Sequence, residues 1–234
     1  MRLKTAADPE SAARIAAEEI ARLCRHAVRE RGRVLVALSG GETPWMMMRS
    51  LRAIDLPWDR TWVAQVDERI APRSDARRNL ARIAEILVRD GPLPGAQLLA
   101  MPVETADLEA AAADYQRLLE RHGGTPLRFD VVQLGLGTDG HTASLVPGDP
   151  VLEVEDRDVA ASEEYQGLRR MTLTYGAIDR ARQRLWLVTG AAKAARLAEL
   201  LDGQSTDRAP SVRVRRVDAT VVADRDALAP AAPP

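Results

Sequence analysis

A chain of 234 residues with 46% hydrophobic and 29% charged types has the balance of a folded globular protein, not of a disordered one. Its formal net charge of −1 offers no field for nucleic acid or an anionic membrane, and no apolar run approaches the roughly 20 residues of a membrane-spanning helix. The single cysteine, Cys24, excludes an intramolecular disulfide and any cysteine-based metal cluster.

Asp8, Glu10, Glu18 and Glu19 near the N-terminus suit neither a signal nor a transit peptide, so the cytoplasm is the expected compartment. Asp8-Pro9 reads as an N-cap followed by proline at the first helical position. Ile15, Ile20, Leu23 and Ala27 then mark one face of a helix ending near Gly32. Val34–Leu38 is a continuous apolar run, as in a strand covered on both faces. A second helix is expected from Thr43 or Pro44, a strand over Thr61–Val66, and a helix from about Asp75 to Val88 capped by Ser74. Leu98–Met101 reads as a short strand, and an Ala-rich helix runs from about Thr105 to Arg121 before Gly123-Gly124. Strands over Phe129–Leu134, Arg170–Thr174 and Leu185–Thr189 follow, with helices near 177–181 and 191–201. Val212–Val214 and Thr220–Val222 are expected as edge strands, and residues 229–234 as a disordered tail.

Strands alternating with helices predict an α/β fold: a three-layer, mostly parallel Rossmann-like sheet with helices on both faces. No repeat and no long linker divides the chain, so residues 1–228 are expected to form one domain. In such folds ligands bind where strands end and the chain turns toward a helix. Residues 39–44, 67–74 and 135–148 occupy such turns and are expected to converge.

Ser39-Gly-Gly-Glu-Thr-Pro44 joins a buried strand to a helix. Gly40 and Gly41 let the backbone approach a ligand closely, and the free N–H groups of the helix start suit a phosphate. By itself this is also an ordinary tight turn, and it lacks the P-loop spacing. Asp67-Glu68-Arg69 places three charges after an apolar run. They read as solvated loop residues in isolation, but at the same rim Arg69 can clamp an oxyanion while Asp67 and Glu68 orient hydroxyls or hold the arginine. Gly135-Leu-Gly-Thr-Asp-Gly140 matches the dinucleotide fingerprint literally. Pro147, Gly148 and Pro150 leave no room for the helix that fingerprint needs, so no dinucleotide cofactor is expected.

His26 lies within a predicted helix and His122 beside a helix-ending glycine pair, both bland settings. His141 follows Asp139 in a glycine-rich loop, where a carboxylate can set the imidazole tautomer for general-base work. No second histidine or cysteine stands at ligand spacing, so no metal is expected. Only Lys4 and Lys193 are lysines among 33 basic residues. Lys193, at a strand-to-helix turn, is therefore as suited to phosphate contact as to a solvated helix face.

Taken together, these segments resemble the 6-phosphogluconolactonase family, in the superfamily that also holds glucosamine-6-phosphate deaminase. The matching pieces are Ser39–Pro44, Asp67–Arg69 with Ser74 and Asn79, Leu134–Gly148, Arg170–Thr174 and Gly190–Lys193, in family order. Two departures stand out: Val146 replaces the usual Phe before Pro-Gly, and Arg78 replaces the usual Ser before Asn79. The resemblance implies a cytosolic enzyme of the oxidative pentose phosphate pathway that hydrolyses 6-phospho-D-glucono-1,5-lactone without metal or cofactor. It implies phosphate binding by Ser39–Thr43, Arg69 and Lys193 with help from Arg170, and catalysis by His141 oriented by Asp139. A phosphorylated sugar lactone is the expected partner, with no nucleic acid, no membrane and a monomeric chain.

The deaminases share the pattern up to His141 but continue with an acid-bearing segment, where this chain has Ala143-Ser-Leu-Val-Pro147. A non-catalytic sugar-phosphate sensor would need a DNA-binding module, for which the residues before Val34 leave no expected room.

Overall fold

The computed structural model describes residues 1–203 and 209–229; residues 230–234 of the expected tail lie outside them. Helix α1 (Pro9–Arg31) starts as its sequence dictates. The Asp8 carboxylate accepts the Ser11 N–H at 2.7 Å, and Gly32 closes the helix at φ +71°. Its buried face is largely alanine (Ala12, Ala13, Ala16, Ala17 and Ala21 around Ile20), which lets the helix lie close on the sheet.

Seven parallel strands form that sheet: β1 (Arg2–Ala6), β2 (Val34–Leu38), β3 (Thr61–Gln65), β5 (Leu98–Leu99), β6 (Val131–Leu134), β9 (Gln183–Val188) and β10 (Ala219–Asp224). Their spatial order is β1-β10-β9-β6-β2-β3-β5. Alternate residues serve opposite cores. Leu35, Ala37, Val132, Leu134 and Trp186 face α4 (Leu108–Gly123), α5 (Tyr175–Arg180) and α6 (Ala194–Asp202). Val34, Val36, Leu38, Val131 and Leu185 face α1, α2 (Glu42–Leu51) and α3 (Asn79–Ile83). Burial on both sides is why these strands read as unbroken apolar runs.

A second, antiparallel sheet lies on the α4 side, with β4 (Asp67–Arg69), β8 (Arg170–Leu173) and β7 (Val159–Ala161) in the order β4-β8-β7. Asp67–Arg69 is thus a strand of its own, and Arg170–Leu173 belongs with it and not in the parallel sheet. Val159–Ala161 and β1 were not expected. β1 buries only Ala6 and carries no apolar period; its place comes from pairing with β10, Arg2 opposite Thr220.

That pairing makes β10 an interior strand, where an edge strand was expected. Val212–Val214 is likewise not an edge strand: Pro210–Arg213 forms the short helix α7. Helix α3 begins at Asn79, not at Asp75, and Ser74 does not cap it. The Glu68 carboxylate accepts the N–H groups of Asn79 and Leu80, each at 2.8 Å, so the cap comes from eleven and twelve residues away, in strand β4. Beyond Ile83 the helix widens into π turns through Arg89. No helix is long and apolar enough among the described residues to cross a membrane.

Candidate active site

Every strand of a parallel sheet ends at the same edge, so the turns after β2, β6 and β9 meet there, with β4 and β8 closing one side. They surround a cavity of about 400 Å³. Ser39, Gly40, Gly41, Thr43, Asp67, Arg69, His141, Arg170 and Lys193 all line it. The three loops predicted to converge do so.

The β2–α2 turn is built for close approach. Gly41 adopts φ +123° immediately before α2. A Cβ at Gly40 would stand 1.9 Å from Asn79 Oδ1, so only glycine fits beneath that side chain. Ser39 anchors the turn to β6: its N–H donates to Gln133 Oε1 at 3.0 Å and its hydroxyl to the Gln133 carbonyl at 2.8 Å. Its hydroxyl is thereby turned toward the strand. Thr43 and Thr189 share a hydroxyl–hydroxyl bond of 2.7 Å, joining the turns after β2 and β9.

In β4, side chains alternate between the two faces. Asp67 and Arg69 face the cavity, and Arg170 sits opposite Arg69 on β8. Glu68 points the other way. It is fully buried, bonds Gln65 Nε2 and the N–H groups of Arg69, Asn79 and Leu80, and does not line the cavity. The expected substrate contact by Glu68 is therefore corrected to a bracing position behind the wall. Arg69 Nη1 donates to Asn79 Oδ1, Asn79 Nδ2 donates to the Asp67 carbonyl at 3.0 Å, and Ser144 donates to Asp67 Oδ2 at 2.6 Å.

Across the cavity, His141 Nδ1 stands 2.6 Å from Asp139 Oδ1, which also accepts the His141 N–H at 3.1 Å. Asp139 Oδ2 accepts the Tyr165 hydroxyl at 2.8 Å. Burial opposes the charged form of Asp139. The His141 N–H, the imidazole and the Tyr165 hydroxyl outweigh it and hold the carboxyl below its ordinary range. A carboxylate on Nδ1 fixes the proton there and turns the lone pair of Nε2 outward. Gly137 lies under this pair: a Cβ there would come within 2.1 Å of His141 Nδ1 and 2.4 Å of Asp139 Oδ1. No helix starts on the 135–140 loop, consistent with the rejection of the dinucleotide fingerprint.

Lys193 sits in a three-residue turn before α6. Asp224, at the end of β10, accepts the Gly190 N–H at 3.0 Å and holds that turn in place. Burial lowers the Lys193 pKa, against the charge of Asp139. Burial likewise lowers that of Arg170, whose guanidinium lies 4.8 Å from the Tyr165 ring centre. Its Nε has no partner among the described residues. His122 stays outside this cavity and stacks on Trp62 at 5.0 Å. Among the described residues no group of three or more His, Cys, Asp or Glu is placed to hold a metal ion.

Tyr165, Asn79 and Asp224 are the contributors that sequence reasoning did not assign to the site. Asn79 had a signal in its place after Asp67–Arg69. Tyr165 had none, because it reaches Asp139 from the turn between β7 and β8, and β7 itself was not foreseen.

A helix-flanked parallel sheet with an anion-suited cleft at its carboxyl edge is the ligand-site arrangement of an open α/β protein. The chain belongs to the Glucosamine-6-phosphate isomerases/6-phosphogluconolactonase family, whose model matches residues 7–223. It is 38% identical over 180 residues to the 6-phosphogluconolactonase of Synechocystis, covering 74% of each chain. It is 34% identical over 215 residues to that of Mycobacterium tuberculosis, covering 87% of each. The structure of 6-phosphogluconolactonase from Trypanosoma cruzi superposes with a TM-score of 0.87 at 25% identity, over 97% of this chain and 95% of that one.

Proposed function

We propose that this chain hydrolyses 6-phospho-D-glucono-1,5-lactone to 6-phosphogluconate, as a step of the oxidative pentose phosphate pathway, with His141 as general base. What carries the reading is the Tyr165–Asp139–His141 chain, whose open Nε2 shares one cavity with Arg69, Arg170, Lys193 and the amino end of α2. The names of the relatives supply the substrate. The geometry supports the roles.

The phosphate sits against the Gly40–Thr43 turn and Lys193, where helix N–H groups and an ammonium complement its charge. Nε2 of His141 takes a proton from water as the water oxygen bonds to the lactone carbonyl carbon. The negative charge then gathered on the carbonyl oxygen needs a donor. The N–H groups of Gly137, Gly140 and His141 already bond within their own loop, so an arginine, Arg69 or Arg170, fills that role better than this backbone. Collapse of the tetrahedral intermediate breaks the bond to the ring oxygen, which leaves with the proton carried by His141. Asp139 holds the imidazolium throughout.

The test is lactone hydrolysis, with substrate made in situ by glucose-6-phosphate dehydrogenase and product read through 6-phosphogluconate dehydrogenase. Strong acceleration over the spontaneous opening, insensitive to chelator, is the expected result. No acceleration would sink the proposal, and ammonia release from glucosamine 6-phosphate would then be measured.

A further inference from the structure

The edge of the parallel sheet where its strands begin, opposite the candidate active site, carries a second charged cavity, of about 500 Å³. Strands β9, β6, β2 and β3 are neighbours in that order. Arg182, Arg33 and Arg60 stand immediately before β9, β2 and β3, and Arg128 stands three residues before β6. Neighbouring strands run about 4.8 Å apart, so four guanidinium-bearing side chains are rooted side by side. Arg31, at the carboxyl end of α1, adds a fifth, and all five line the cavity.

Asp130 is the one carboxylate among the described residues that line this cavity, and it is already used. Its Oδ1 accepts from Arg31 Nε and Nη2 at 3.0 and 2.7 Å and lies 3.3 Å from Arg182 Nε, while Oδ2 accepts the Leu35 N–H at 2.9 Å. Among the described residues, no acid of the cavity is left for Arg33, Arg60 and Arg128. Arg60 meets its exposed chain neighbour Asp59 at 3.3 Å, and Arg128 Nε donates to the Arg180 carbonyl at 3.1 Å. In a chain of 33 basic and 34 acidic residues this is a local separation of charge. The crowding acts on the side chains themselves. Burial and then the charges of Arg31 and Arg128 lower the Arg182 pKa in spite of Asp130, and burial and then Arg33 and Arg121 lower that of His122. The carboxyl ends of α1 and α4 favour cations nearby, which accounts for Arg31 and His122 but not for the arginines at the strand starts.

We propose that this cavity is a second binding site, for a small ligand carrying two or more linked phosphate groups. Guanidinium forks donate to phosphate oxygens in pairs, and arginine is the side chain suited to that geometry. Linked phosphates reach arginines rooted on different strands at once, which a single phosphate does not. Such a ligand supplies the acceptors that Asp130 has no room to give, and its charge relieves the repulsion among the arginines. Trp62 of β3, half-buried and stacked on His122 at a ring separation of 5.0 Å, forms part of the wall. An aromatic wall can also receive a base, so the phosphates could belong to a bare phosphate chain or to the tail of a nucleotide.

Calorimetric titration of the full chain with sodium tripolyphosphate, in magnesium-free buffer, tests this without reference to lactone hydrolysis. Tripolyphosphate should bind saturably, and inorganic phosphate about tenfold or more weakly, since it meets fewer arginines. Arg33 and Arg60 are exposed, so the double variant Arg33→Glu/Arg60→Glu reverses two charges of the cavity without disturbing the core. It should weaken tripolyphosphate binding about tenfold or more with the melting temperature in place. Lys193→Met, in the other cavity, should leave that binding unchanged. ATP separates the two sources: tighter binding than tripolyphosphate assigns the site to a nucleotide, and equal or weaker binding to the phosphate chain alone. No saturable heat, inorganic phosphate binding as tightly, affinity that survives the double variant, or a loss in Lys193→Met instead would each overturn the proposal.

Discussion

His141 keeps Nδ1 on Asp139 at 2.6 Å and has no partner at Nε2 among the described residues, the arrangement of a base waiting for a proton. His141→Ala should lower kcat by about 10²–10⁴-fold while affinity for 6-phosphogluconate holds. Near-full kcat in the coupled assay would remove His141 from the mechanism. Gly137→Ala probes the same pair without replacing either residue. The added methyl would overlap both side chains, and a displacement of the base by an ångström can cost about 10²-fold. The expected outcome is a kcat loss of that order with an unchanged urea midpoint; a fully active variant would mean that the dyad tolerates the shift. The pairing of His141 with Asp139 was legible from two positions of sequence spacing. Tyr165, which completes the chain, comes from the turn between β7 and β8 and was not.

At the scale of elements, β4 shows how three adjacent charges acquire different duties. The strand period sends Asp67 and Arg69 to the cavity and Glu68 into the protein, where it caps α3. As loop residues Asp67 and Glu68 were indistinguishable; only membership of a strand separates them. A comparable tie holds the edge. Glu19 of α1 accepts from Lys4 of β1 at 2.8 Å and from Arg22 at 2.6 Å, on a side chain 4% exposed. The Arg22 hydrogen bond chiefly holds the Glu19 carboxyl at about 2, against burial and with help from Lys4. Its folded value lies below the ordinary 4.5, so this stabilisation is present above pH 4.5 and is lost as pH falls toward 2. Glu19→Gln should cost about 1–3 kcal/mol at pH 7, allowing for partly exposed partners, and its deficit should shrink through that window. Urea unfolding at pH 7 and pH 3 measures both; a deficit independent of pH would deny the ion pair its role.

At the scale of the whole molecule, the cleft exists because the parallel strands end at one edge and a small antiparallel sheet closes its side. Lys193 reaches the cleft only through this assembly, its turn held by Asp224 of β10, which accepts the Gly190 N–H. Burial lowers its pKa, so as pH rises it loses its proton before an ordinary lysine would, and with it the proposed attraction for phosphate. Affinity for 6-phosphogluconate should therefore weaken with rising pH starting below the ordinary lysine value of 10.5, and Lys193→Met should remove that limb. Titration calorimetry across alkaline pH reads it; an identical limb in the variant would assign the effect elsewhere.

Local chemistry carried the parts of this protein that depend on neighbours in the chain. The Asp8 cap and Gly32 stop of α1, the apolar strands of the core, the Gly40-Gly41 turn and the Asp139–His141 pair all follow from residues a few positions apart. Tertiary structure alone decided what rests on partners distant in sequence. β1 is a strand because β10 pairs with it, Glu68 braces because β4 is a strand, and Arg78 is buried because Glu68 and Glu104 meet there. The physical reason is common to all three. Backbone propensity and hydrophobic period are written along the chain, whereas edge pairing and the burial of polar groups are settled only when remote segments come together.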